Sequence, residues 1–379
     1  MNFQFLQTYL DPLLDSAVSS GCYPGVQALV LHGEEGREVY HRAVGLADAE
    51  AGIPVARDTL YRMFSSSKNV TGVASAMCAE RGLLSRRAQV HDYLPAFKDI
   101  TVGPERRAPA TSLFVWHVLS MTSGFSYDYD WSKAPAGLDT VGFVSDLARR
   151  VPLQFDPGDQ WMYGYGADIA GALVETVTGM RFGEFLRREI FEPLGMKDTG
   201  FIVPESKRAR LAAPYEDTDG GRGFRRSELA PHHLGLRDYR KDTTFESGGA
   251  GLVSTIDDWA AFCRMLLAGG VYGGHRFLSP AGMSAMLTNQ LTPHQARTFN
   301  WADCEGHGYS HFFHIKRAGV SHSDATNPGT FAWGGWLGTN SFVDPVSKTV
   351  GILMVQRTNG AILELNERFR SVVSAAVSL

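Results

Sequence analysis

The chain has 379 residues, 44% hydrophobic and 20% charged, with a formal net charge of −4. This is the composition of a soluble globular protein holding one large or two ordinary domains. The mild acidity leaves no basic stripe for nucleic acid, and no apolar run reaches membrane-spanning length.

Met1 to Ser20 carries no Lys or Arg and reads as an amphipathic surface helix around Leu10, Leu13, Leu14 and Val18. A secretory signal would want a basic start and a small-residue cleavage site, so a cytoplasmic location is expected. The four cysteines, Cys22, Cys78, Cys263 and Cys304, form no CxxC pair. Free thiols in a reducing compartment are the expectation, with Cys78 a core residue on an apolar helix face.

Two strands follow the first helix, Val26 to Leu31 and Glu38 to Val44, joined by the turn His32-Gly33-Glu34-Glu35-Gly36. A short strand is predicted from Thr59 to Phe64, then a helix from Val70 to Arg81 with Val70, Val73, Ala74, Met77 and Cys78 on one face. Thr111 to Met121 reads as a helix capped at Gly124. The aromatic and acidic loop Ser126 to Trp131 fits a pocket wall and a cover over the core equally well. Asp156-Pro157-Gly158 is a turn, Ala167 to Thr178 a helix ended by Gly179, and Phe182 to Ile190 another helix. Residues 204–243 are charged and irregular. Gly248-Gly249-Ala250-Gly251 lacks the pattern of a phosphate loop and precedes a helix from Thr255 to Ala268. Strands are expected over Tyr309 to Lys316, Thr330 to Trp333, Thr339 to Asp344 and Thr349 to Gln356, and a closing helix over Leu363 to Val377. Strands, then helices, then strands imply an α/β (α+β) architecture. One sheet domain is built from both chain ends, residues 1–86 and 216–379, with a mainly helical domain, 87–215, inserted.

The chemistry centres on Phe64-Ser65-Ser66-Ser67-Lys68. Ser65 falls near a strand-to-helix junction, where its amide is an unpaired donor suited to a developing negative charge. Lys68, three residues on, shares its helix face. A serine hydroxyl needs a base to become a nucleophile, and an amine can serve when burial or nearby charge lowers its pKa. Ser-x-x-Lys arises by chance about once in a chain this long, and its plain alternative is a serine near an N-cap with a solvated lysine. No other lysine here has a serine three residues before it.

Tyr163 lies in a loop just before a helix; a phenol near a lysine can act as a general base, although a tyrosine beside Trp161 and Tyr165 is also ordinary packing. Trp333-Gly334-Gly335-Trp336 places two glycines in a strand-like run, the mark of a close backbone approach or of a bulge. Such an edge can supply an N–H to an oxyanion. His307, His311 and His314 show no zinc pattern, with 311 and 314 on opposite faces of the expected strand, so no metal site is assigned. No Gly-x-Ser-x-Gly elbow occurs.

Together these motifs resemble the serine β-lactamase and penicillin-binding-protein superfamily, specifically its class C branch and the family VIII carboxylesterases. The resemblance rests on Phe64 to Lys68, Leu119-Ser120-Met121-Thr122-Ser123-Gly124, Pro157-Gly158 with Trp161-Met162-Tyr163, Pro193-Leu194-Gly195-Met196, and Trp333-Gly334-Gly335, in order along nearly the whole chain. It implies a β-lactamase-like fold, an antiparallel sheet flanked by helices. It implies Ser65 as the acylated nucleophile, Lys68 and Tyr163 as the proton-abstracting pair, and the amides of Ser65 and Trp336 as the oxyanion hole. Tyr163 is chosen over Tyr165 because the family tyrosine stands five residues before an Asp at the helix start, here Asp168. Class C enzymes have Tyr-x-Asn and Lys-Thr-Gly; this chain has Tyr165 at the Asn position and Trp333 at the Lys position. An indole in place of a cation removes charge pairing for an anionic substrate.

The implied activity is therefore a carboxylesterase acting on short-chain esters without cofactor or metal. The alternatives are a β-lactamase or D-alanyl-D-alanine peptidase, an acyltransferase on a small-molecule scaffold, and a silent binding protein. Trp333, Gly334, Gly335, Phe125 and Tyr127 are the expected substrate contacts, with Tyr129, Trp131 and Trp336 completing an aromatic pocket.

Overall fold

Strand β1 (Gly25–His32) is buried from Gly25 through Leu31. Successive side chains point to opposite faces, so a strand buried throughout must be covered on both. A computed structural model shows how, describing residues 1–301, 304–319, 325–358 and 362–378. The main elements are α1 (Phe3–Ser19), β1, β2 (Arg37–Asp48), β3 (Ile53–Pro54), α2 (Ser67–Glu80), α3 (Gly166–Thr178), α4 (Ile256–Leu267), β4 (His307–Ser310), β5 (Phe313–Lys316), β6 (Phe331–Gly334), β7 (Asn340–Asp344), β8 (Thr349–Met354) and α5 (Ile362–Ser378). The strands form one antiparallel eight-stranded sheet in the order β4-β5-β6-β7-β8-β1-β2-β3. Its centre joins the two ends of the chain, with Gln27 opposite Met354 and Leu31 opposite Val350.

Ala28 and Val30 pack with Leu6, Leu10 and Leu14 of α1 and Phe369 and Val373 of α5. Leu29 and Leu31 face the other way, into the larger core with α2 and α4. Each large aliphatic or aromatic side chain buried this way contributes roughly 1.5–3 kcal/mol. Trp259 of α4 also donates its indole N–H to Ser341 Oγ of β7 at 3.0 Å, which fixes α4 on the sheet. Helix α2 is buried from Ser67 to Cys78, with no solvent face over that stretch. It lies between the sheet and the helices of the middle of the chain, and packs on α3.

Three local expectations are corrected. The stretch Tyr309 to Lys316 is not one strand but the hairpin β4–β5. His311 and Phe312 make its turn with φ of 44° and 67°, where Asn and Gly would signal such a turn. His307 and His314 therefore face the same side, their rings stacked at 4.5 Å, while His311 leaves the ladder. The helix expected over Thr111 to Met121 spans only Val115–Leu119. The Phe114 backbone N–H donates to His117 Nδ1 at 3.0 Å, a side-chain cap that starts the helix late. Ser120 ends it, and Met121 turns left-handed at φ 57°, so Gly124 is not the cap.

His117 must stay neutral to accept that bond, and burial pushes its pKa down to about 4. The unfolded chain takes up this proton first, so His117 favours folding above pH 6.5 and loses that contribution as pH falls toward 4. We expect urea unfolding at pH 7 and pH 5 to show a stability difference about 2 kcal/mol smaller in His117→Asn than in the wild type. An unchanged difference would mean that His117 takes up its proton equally readily in the folded and unfolded chains.

Candidate active site

Ser65 sits in a single 3₁₀ turn, Phe64–Ser66, that runs directly into α2. The turn is entered through Phe64 at φ 42°, a left-handed conformation unusual for a residue of that size. Phe64 holds it because its ring is buried and meets Trp336 edge-on at 5.4 Å. Lys68 lies one turn along α2 with 0% of its surface exposed. Its Nζ donates to Ser65 Oγ at 3.0 Å and to the Gly249 carbonyl at 2.6 Å. The Tyr163 ring lies 4.7 Å from the same nitrogen and the Tyr127 ring 5.9 Å.

A glycine is required where Lys68 finds its carbonyl. A Cβ at Gly249 would come within 2.7 Å of Asp168 Oδ2, and one at Gly248 within 2.4 Å of the Ala167 carbonyl. Asp168, at the start of α3, accepts from Ser247 Oγ at 2.6 Å and from the Gly249 N–H at 3.2 Å. Burial pushes its carboxyl pKa up, opposed by those bonds and by the nearby Lys68 charge. Asp168 thus orients the segment whose carbonyl holds Lys68.

Tyr163 lies in the loop before α3. A Cβ at Gly164 would sit 1.9 Å from the Phe125 carbonyl, so this loop runs hard against the backbone of the 125–126 segment. The phenol oxygen of Tyr163 accepts the Trp333 indole N–H at 3.2 Å. Trp333 belongs to β6, whose end carries Gly334, Gly335 and Trp336 toward the Ser65 turn. A Cβ at Gly335 would fall 2.3 Å from both the Met63 carbonyl and Thr339 Oγ1. Thr339 Oγ1 donates to the Met63 carbonyl at 3.1 Å and meets Ser66 Oγ at 3.0 Å, which ties this edge to the turn. Among the described residues the Trp336 amide has no hydrogen-bond partner. Its indole packs on His233 at 4.3 Å.

The structure thus brings Ser65, Lys68, Tyr163 and the Trp333–Trp336 edge together. Tyr127 joins them, its ring edge-on to Tyr163 at 5.6 Å and its buried hydroxyl without a hydrogen-bond partner among the described residues. Phe125 is placed elsewhere. It is 1% exposed and packs edge-on to Phe97 at 5.7 Å, so its ring is core and only its carbonyl approaches the Tyr163 loop. Tyr129 is also buried, donating to Asp146 at 2.6 Å, and Tyr165 accepts from Trp131 at 2.9 Å. The aromatic loop is therefore mainly a cover over the core, with Tyr127 its contribution to the site. Sequence reasoning used Asp168 only as a register mark and passed over Gly249. The glycine cluster was the available signal, since glycines before a helix mark close backbone approach as well as phosphate binding.

The Beta-lactamase family model matches residues 8–373. The chain belongs to the Beta-lactamase family. Esterase EstB of Burkholderia gladioli is 30% identical, with 94% of this chain and 91% of EstB covered. Lovastatin esterase of Penicillium rubens is 29% identical, covering 92% of each. The solved structure of EstCE1, a hydrolase with promiscuous acyltransferase activity, superposes with a TM-score of 0.82 at 25% identity, over 98% of this chain and 99% of that one. Within the Beta-lactamase family this protein is a serine hydrolase of the family VIII-like esterase type. Among the described residues no helix is long and apolar enough to cross a membrane.

Asp168→Ala leaves two buried donors, the Ser247 hydroxyl and the Gly249 N–H, without an acceptor. We expect a loss of about 2–3 kcal/mol in urea unfolding, and a fall in turnover of at least about tenfold as the Gly249 carbonyl drifts from Lys68. Asp168→Asn, which keeps one acceptor oxygen, should lie between. Wild-type turnover in Asp168→Ala would remove Asp168 from this chain of contacts.

Proposed function

We propose that the protein hydrolyses short-chain carboxylic esters through an acyl-enzyme on Ser65. The observation that carries this reading is the contact from the wholly buried Lys68 Nζ to Ser65 Oγ at 3.0 Å, with the Tyr163 ring over the same nitrogen. The Lys68–Tyr163 pair takes the proton of Ser65 as Oγ bonds to the ester carbonyl carbon. The carbonyl oxygen becomes an oxyanion facing the amides of Ser65 and Trp336, each such donor lowering the barrier by roughly 3 kcal/mol. The tetrahedral species collapses, the alcohol C–O bond breaks, and Tyr163 delivers the proton to the departing oxygen. Water then attacks the acyl-enzyme, activated by the same pair, and releases the acid and free Ser65. No metal or cofactor enters these steps.

Tyr127 is a fourth polar side chain of this site, beside Ser65, Lys68 and Tyr163. Burial raises its pKa well above 10, so the phenol stays protonated and can donate to a substrate oxygen. Trp333 separates the ester reading from the lactam one: it places a neutral ring, its N–H already donated to Tyr163, where a lysine would pair with a carboxylate. Acyl transfer to an alcohol acceptor is a second reading, favoured by the similarity to EstCE1 and by the aromatic surface around Tyr163. Cys22, Cys78 and Cys263 are free thiols, the last two buried, which supports a reducing, cytoplasmic location.

Initial rates on p-nitrophenyl acetate, butyrate and octanoate, beside a chromogenic cephalosporin, test this reading in the wild type and Ser65→Ala. We expect ester turnover falling from acetate and butyrate to octanoate, loss of at least about a thousandfold in Ser65→Ala, and little cephalosporin hydrolysis. Ester turnover that survives Ser65→Ala would sink the nucleophile assignment. Rapid cephalosporin turnover would move the protein to the lactamase branch.

A further inference from the structure

Trp301 meets the site from the solvent side. It is 41% exposed, whereas Trp161 and Trp333, two of the rings it meets, are 4% and 6% exposed. Its indole stands edge-on to Tyr163 at 4.9 Å and to Trp161 at 5.2 Å, and lies 6.1 Å from Trp333 at a shallow angle of 31°. The segment that carries it is fastened to the Tyr163 loop. Gln295 Nε2 donates to the Gly158 carbonyl at 2.6 Å, the Trp161 N–H donates to Thr298 Oγ1 at 2.9 Å, and His294 meets Asp159 at 3.1 Å. Phe299, two residues before Trp301, is buried against Trp161 at 4.7 Å. A large apolar ring held this firmly, yet left open to solvent beside a reactive phenol, is a surface kept for a ligand.

We propose that Trp301 is the wall against which the alcohol portion of the ester packs, and that it selects esters of aromatic or arylalkyl alcohols. The inference rests on the esterase reading above and adds to it which half of the substrate is recognised, and by which residue. The step that fixes the side is the return of the proton from Tyr163 to the departing alkoxide. That transfer requires the alcohol oxygen within hydrogen-bond reach of the Tyr163 hydroxyl, about 2.6–3.2 Å. The group attached to that oxygen extends from the phenol outward, along the exposed Trp301 indole. A flat ring there gains offset or edge-on contact with the Trp301 indole, an arrangement that rewards aromatic over small aliphatic alcohols. The bond changes are those of ordinary acylation: Ser65 Oγ–C forms, C–O(alcohol) breaks, and the serine proton leaves with the alcohol.

Acetates of different alcohols share one acetyl-enzyme, so an alcohol-side contact acts on acylation and appears in kcat/KM, while deacylation is common to all. The test measures kcat/KM for methyl acetate, benzyl acetate and methyl benzoate in the wild type, Trp301→Ala and Trp301→Phe. We expect the benzyl acetate to methyl acetate ratio to fall about tenfold in Trp301→Ala and to be kept within about threefold in Trp301→Phe. The methyl benzoate to methyl acetate ratio, which reports the acyl side, should move by less than about threefold. An unchanged benzyl acetate ratio, an equal fall in the methyl benzoate ratio, or a Trp301→Phe variant as impaired as Trp301→Ala would overturn the proposal while leaving the esterase reading standing. A wild-type enzyme inert toward all three esters would instead overturn both.

Discussion

An amine with no exposed surface is an expensive thing to place inside a protein, and Lys68 is placed there in full. Its burial is tolerable only because its neighbours have been built around it. The Gly249 carbonyl and Ser65 Oγ take two of its hydrogen bonds, and the Tyr163 ring lies over it. The carboxyl of Asp168 is near enough to feel the Lys68 charge. Each partner comes from a different part of the chain and is held by its own contacts. Asp168 fixes the glycine segment, Trp333 holds the Tyr163 hydroxyl, and Thr339 ties the β6 edge to the turn that carries Ser65. The site is thus one consequence of solvating a single nitrogen with protein instead of water.

The sequence carried those parts of the site that are local. Ser65 and Lys68 are neighbours because residues three apart share a helix face, and the spacing alone places them together. Five strands of the sheet, β1, β2, β6, β7 and β8, were legible as runs of β-branched and apolar residues, and its closure from both ends as strands returning after helices. What was not legible depended on partners far away in the chain. Nothing near Gly249 says that its carbonyl will meet Lys68, and nothing near Trp301 marks it as the neighbour of Tyr163.

Two misreadings had local physical causes. The β4–β5 hairpin was hidden because its turn is made by His311 and Phe312, two side chains that rarely adopt positive φ. The turn stands because it is clamped from outside: the His311 carbonyl lies where a Cβ on Gly72 of α2 would be, at 2.2 Å, and Asn69 donates to the Phe312 carbonyl at 3.3 Å. Phe125 was read as a pocket residue because an aromatic in a loop has no periodicity to say which way it faces. Its burial against Phe97 is a fact of packing, written in both segments together.

The link between the Ser65 turn and the β6 edge joins Ser66 to Thr339, positions 273 apart in the chain. Contacts of such separation carry the highest loop-closure cost and form late, so this topology folds more slowly than one built from neighbours. The turn that carries Ser65 is made 273 residues before the Thr339 that braces it. A chain cut between them carries Ser65 and Lys68 without the edge that closes their side of the site.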